Sequence, residues 1–124
     1  MSLARRAASQ AVGTAFLLAA VVGSGIMGQC LSGGNLAIAL LANSAATGVA
    51  LVALILTLGA AMNPLVTVSD ALRRAIAWTD VPVVVLAQLA GAVLGVAAAN
   101  AMFELPVFSL SQHVRAGSAQ LLSE

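Results

Sequence analysis

The sequence predicts an all-α membrane protein with three transmembrane helices and one re-entrant half-helix. Three observations carry that reading. The composition is apolar and almost uncharged, three charge-free runs are each long enough to cross a bilayer, and an Asn-Pro pair opens a short helical pattern between the second and third runs. Of the 124 residues, 61% are hydrophobic and 7% charged, against roughly 25% charged in soluble domains. Five basic and four acidic side chains cannot cover the surface of a water-soluble domain of this size. The net charge of +1, without a basic patch interleaved with aromatics, predicts no nucleic-acid partner.

The spans fall in order at residues 8–29, 36–58 and 82–103, each close to the roughly 20 residues a helix needs to cross the hydrocarbon core. In lipid the backbone must satisfy its own hydrogen bonds, so helices are the structures such runs can form. The turn Leu31-Ser32-Gly33-Gly34-Asn35 separates the first two, and Glu104-Leu105-Pro106 closes the third. Arg5 and Arg6 ahead of an apolar run resemble a signal peptide, and Met27-Gly28-Gln29-Cys30 faintly resembles a lipoprotein cleavage site. The run is nevertheless longer than the roughly 7–15 residues of a signal core, and more membrane sequence follows Cys30. That lone cysteine can form no internal disulfide.

Arg5 and Arg6 precede the first span, and Arg73 and Arg74 lie between the second and third. Three spans put both pairs on one side, with only Arg115 opposite. This bias predicts a cytoplasmic N-terminus. The protein is expected to be integral to a membrane, the bacterial inner (plasma) membrane. Its immediate partner is the lipid bilayer.

Within the spans, Gln10 and Gln88 are amides near membrane depth, where an unpaired polar group is costly and an interhelical hydrogen bond is the ordinary solution. Ala87, Gly91, Gly95 and Ala99 recur at spacing four, a flat stripe that admits another helix closely. Gly23, Ser24, Gly25 and Gly28 form a similar patch on the first span.

Between the second and third spans lies "LGAAMNPLVTVSDALRR". Asn63 is a favoured N-cap because its side-chain oxygen can accept from an orphan backbone N–H. Pro64 suits the first turn, where its missing N–H is not needed. Arg73 and Arg74 complement the dipole of the last turn. The pattern predicts a helix over 64–74, about 16 Å long or half a membrane. Its basic residues lie only at the end, not along one face, which favours insertion over lying on the surface. An inserted half-helix brings Gly59, Ala60, Ala61 and Met62 to membrane depth as irregular backbone, tolerated where it is buried in protein or lines a watery cavity. Carbonyl acceptors, the Asn63 amide and a positive helix end together make a pore element that disfavours cations.

Three stretches, in this order and spacing, resemble the aquaporin and aquaglyceroporin (major intrinsic protein) family. "QAVGT" with Gln10, Gly13 and Thr14 is similar to the Glu-x-x-Gly-Thr of the family's first helix. "GAAMNPLVT" is similar to its Gly-Ala-His-x-Asn-Pro-Ala-Val-Thr signature. "AQLAGAVLG" is similar to the Ala-Gln-x-x-Gly-Ala-x-x-Gly of its third helix. The resemblance covers the first of the family's two half-repeats. It implies half of a fold of six helices and two half-helices that meet head to head at mid-membrane, assembled as a homo-tetramer.

On that resemblance the pore-lining residues are Asn63 (donor to the permeant), Pro64, Leu65, Gly59, Ala60 and Ala61, with Thr47 contributed by the second helix. Gln10, Thr14, Gln88, Gly91 and Gly95 are structural. Gln10 takes the place of the family's loop-bracing Glu. Leu65 replaces the Ala of Asn-Pro-Ala, Ala61 the His, and Leu58 a Ser. The approach to Asn63 is shorter than usual by about one helical turn. Residues 1–103 correspond to the first half-repeat. Residues 104–124 are expected as an extracytoplasmic inter-repeat loop, with Glu124 at the start of a fourth helix. His113 and Arg115 are expected to be solvated there.

The expected function is a passive channel for water or small uncharged solutes, such as glycerol-like molecules or metalloid hydroxides, this chain supplying one half of the pore. The alternative is a truncated, transport-inactive fragment of such a channel. A small proton-coupled multidrug transporter would need an intramembrane carboxylate, and Asp70, Asp80, Glu104 and Glu124 all lie outside the spans. No nucleophile–base pair or metal-ligand cluster suggests an enzyme, a metal site or a cofactor.

Overall fold

The computed structural model describes residues 2–106. His113, Arg115, Glu124 and most of the expected 104–124 loop lie outside the described residues. Within them the chain is all-helical: α1 (Leu3–Leu31), α2 (Leu36–Leu58), α3 (Pro64–Leu72) and α4 (Val81–Met102). Three of the four, α1, α2 and α4, are long and apolar enough to cross a membrane.

α1 starts ahead of the apolar run because Ser2 caps it, accepting the Arg5 N–H at 3.3 Å. At 29 residues it is about 43 Å long, so its ends reach past a hydrocarbon core of about 30 Å. The turn to α2 uses Gly33 (φ 60) and Gly34 (φ 87). Asn35 then caps α2 by accepting the Ile38 N–H at 3.2 Å.

α2 runs antiparallel to α1 and α4 runs parallel to it, with α1 between them. The α1–α4 register is set by glycines. A Cβ at Gly91 would land on the Ala11 carbonyl oxygen, and one at Gly95 on the Ala15 carbonyl oxygen. The contact stays in step up to Gly23, whose added Cβ would meet Phe103 at 3.6 Å. Buried Val84, Gln88, Gly91, Gly95 and Ala99 form the facing stripe of α4. Gln88, not Ala87, therefore occupies the inner position one turn before Gly91. The rest of the small patch on α1 faces α2 instead: Ser24 donates to Asn43 Oδ1 at 2.7 Å, and Gly28 lies against the Ala39 backbone.

α2 ends where Gly59 turns left-handed (φ 59), its N–H donating to the Ile55 carbonyl at 2.9 Å. A Cβ there would meet nothing within 4 Å, so Gly59→Ala isolates backbone strain. The expected loss is about 1 kcal/mol, read as a lowered midpoint of thermal unfolding in detergent.

α3 stops at Leu72, two residues short of the span expected from the sequence. Arg74 adopts a left-handed conformation (φ 60), the Ala75 N–H reaches back to the Asp70 carbonyl at 2.8 Å and the Arg74 N–H to the Ala71 carbonyl at 3.0 Å. This is the Schellman closure, here made with arginine where glycine is usual. The two arginines therefore stand just past the helix and not in its last turn. A short linker returns to α4, and Arg6 pairs with Asp80 at 3.8 Å. That pair ties the starts of α1 and α4 together at the end of the bundle that also holds Arg73 and Arg74.

Candidate functional site

The segment between α2 and α3 runs beside the N-terminal half of α1, meeting it at Gln10 and Gly13, two to three turns in from the helix start. Its buried side chains face inward: Ala60 and Met62 are 2% and 5% exposed. Met62 sits at φ 53 and lays its thioether over Gly13, where an added Cβ would meet its Sδ at 2.9 Å. Gly13 is thus the notch that admits the loop. Asn63 extends into α3, and its Oδ1 accepts the Leu65 N–H at 2.9 Å. That bond fixes the amide orientation and leaves the N–H2 group free to donate elsewhere.

A chain of buried hydrogen bonds holds the loop from behind, and its directions follow from chemistry. The Met62 backbone N–H can only donate, and it does so to Gln10 Oε1 at 2.8 Å. The same oxygen accepts from Gln88 Nε2 at 2.8 Å. Gln88 Nε2 also donates to Thr67 Oγ1 at 3.0 Å, and the Thr67 hydroxyl donates to the Asn63 carbonyl at 3.1 Å. One side-chain oxygen on α1 therefore joins the loop to α4, and Gln88 carries the chain on to α3. Gln10, Thr67 and Gln88 are 6%, 2% and 1% exposed, and in so dry a place these bonds resist competition from water. Thr14 Oγ1 and Gln88 Oε1 are buried with no hydrogen-bond partner among the described residues.

Two spaces flank the loop. One is a groove of about 480 Å³ lined by Leu17, Leu51, Ile55, Gly59, Ala60, Ala61, Met62, Asn63 and Val66. The other, about 230 Å³, is lined by Arg6, Ser9, Gln10, Gly59, Ala61, Thr67, Asp70, Ile76 and Val84. Gly59 and Ala61 belong to both, so the loop is the wall between them. Asn63, Pro64 and Leu65 are exposed, Leu65 to 76%.

Among the residues singled out by sequence, the structure brings Gln10, Gln88, Gly59, Ala60, Ala61, Asn63 and Pro64 to this region. Gly91 and Gly95 set the helix contact beneath it, and Thr14 lies buried one turn along α1 from Gln10. Thr47 is half-buried in α2, and the groove's α2 wall is built from Leu51 and Ile55 instead. Sequence reasoning placed Met62 in the re-entrant backbone but gave its side chain no role, and it gave none to Thr67 or the Ser24–Asn43 pair. Thr67 carried a signal: it stands four residues after Asn63, one helical turn, on the side of α3 that Gln88 meets.

Three membrane-length helices, and a short Asn-Pro-capped helix anchored to them by buried amides, define an integral membrane protein of the helical-bundle kind. Comparison with known families sharpens that class. The chain matches the Major intrinsic protein family over residues 1–121, and it belongs to that family. It is 47% identical over 126 residues to aquaglyceroporin AqpS of Rhizobium meliloti (strain 1021), an alignment covering 98% of this chain and 54% of that protein. The chain thus spans about half the length of the curated relative it matches. No solved structure matches it.

Proposed function

We propose that this chain forms one half of a passive transmembrane channel for water or small uncharged solutes of the glycerol type. The observation that carries the reading is the position of Asn63. It stands at the start of a nine-residue helix, in a groove shared with Leu17 at the midpoint of α1, and its N–H2 group is left to donate. On this reading α3 is a half-helix entering the membrane, Gly59–Ala61 present carbonyl acceptors, and the positive end of α3 repels cations. The clustering of Arg5, Arg6, Arg73 and Arg74 at one end supports a cytoplasmic N-terminus in a bacterial inner membrane. Assembly as a homo-tetramer follows the family.

A second reading, a transport-inactive half, is favoured by the openness of the groove: Asn63, Pro64 and Leu65 are all exposed. Stopped-flow measurements on proteoliposomes separate the two. The chain alone is compared with its fusion to the C-terminal half of the Rhizobium meliloti protein. The channel reading expects the fusion to raise water or glycerol permeability severalfold over empty liposomes. A fusion that inserts and folds yet conducts nothing above background sinks the channel reading. Background permeability of the chain alone, beside a conducting fusion, means that the half-pore works only when closed by a partner half.

A further inference from the structure

The segment from Leu72 to Trp78 joins α3 to α4 at the arginine-rich end of the bundle. Arg73 and Arg74 are exposed and, like Arg5, form no ion pair among the described residues; Asp80 is taken by Arg6. Large apolar groups flank the arginines, with Leu72 69% and Trp78 56% exposed. In water, exposed leucine and tryptophan side chains forfeit the gain of burial. At a bilayer surface the arrangement is complementary: arginine forks match phosphate oxygens, while leucine and tryptophan suit the glycerol and upper acyl region.

Arg74 adds a second, independent sign. It occupies a left-handed position that glycine adopts without strain, and local strain of this kind is retained where a side chain is needed. We propose that Arg73, Arg74 and Trp78 form a headgroup site for an anionic phospholipid in the leaflet at this end of the bundle. The site is independent of whether the groove conducts.

Trp78 is the single tryptophan of the chain, so its fluorescence reports this site alone. The full chain is reconstituted in phosphatidylcholine bilayers with a minor fraction of acyl-brominated phosphatidylglycerol, or of acyl-brominated phosphatidylcholine in a phosphatidylglycerol-containing bilayer. The wild-type chain is expected to show stronger quenching by the brominated anionic lipid, with a preference of about fivefold per engaged arginine. Arg73→Gln with Arg74→Gln brings the ratio close to one. Arg74→Gly also lowers it, and because glycine suits the left-handed turn, loss of fold cannot explain the result. Equal quenching by both lipids in the wild-type chain overturns the proposal, as does an Arg74→Gly variant with the preference intact. Millimolar inorganic phosphate leaves the ratio unchanged if a lipid is the ligand; if it abolishes the preference, the site takes soluble phosphate and the lipid assignment is wrong.

Discussion

Replacing Gly91 or Gly95 with alanine is expected to separate α1 from α4 and cost about 3 kcal/mol, the upper end for overpacking. The added methyl would land on the carbonyl of Ala11 or Ala15. A backbone oxygen, unlike a side chain, cannot rotate aside, so the whole helix must move. Moving it pulls Gln88 off Gln10, and the support of the loop is lost together with the packing. Gly48→Ala supplies the contrast. Gly48 lies in α2, and a Cβ there meets nothing within 4 Å, so alanine gains up to about 1 kcal/mol of helix propensity. Thermal unfolding in detergent, followed by circular dichroism, ranks the variants. A Gly91→Ala protein as stable as Gly48→Ala would show that α1 and α4 do not pack at this distance.

The second large effect is expected at Gln10. Gln10→Leu removes the oxygen that accepts from both the Met62 N–H and Gln88 Nε2. Each buried donor left unpaired costs about 1–3 kcal/mol. The loss concentrates at the loop, since Met62 then keeps only its apolar seat on Gly13. Amide hydrogen exchange at Met62 should accelerate roughly tenfold to hundredfold, the equivalent of one such bond. Gln10→Glu keeps an oxygen in the same place, so the Met62 amide should stay protected even though a buried carboxylate lowers overall stability. If the Met62 amide exchanges equally slowly in wild-type and Gln10→Leu, the bond does not hold the loop.

These two expectations mark where sequence reading stops. The amides of Gln10 and Gln88 stand out in the sequence because polar side chains in charge-free runs need partners. Nothing local says that they partner each other, 78 positions apart, or that a backbone N–H and Thr67 complete the set. Likewise the stripe Gly91–Gly95 announces a close helix contact without naming the helix. The ends of α3 show a different limit. Its start at Asn63-Pro64 is written in capping chemistry, which is local. Its end is decided by the left-handed turn at Arg74, a conformation that an arginine does not advertise.

What the sequence determined by itself is the class of structure: three apolar helices, a short Asn-Pro-capped helix between the second and third, and membership in a channel family. Burial of apolar surface and backbone self-satisfaction in lipid depend on composition and period, and both can be read along a single strand of text. Only the tertiary structure decided that α4 lies in step with α1, that Met62 fills the notch at Gly13, and that Leu51 and Ile55, not Thr47, wall the groove. Those outcomes depend on the distance between two backbones. That distance is set where a missing Cβ on one helix meets a carbonyl on another, a fact that belongs to pairs of residues far apart in the chain.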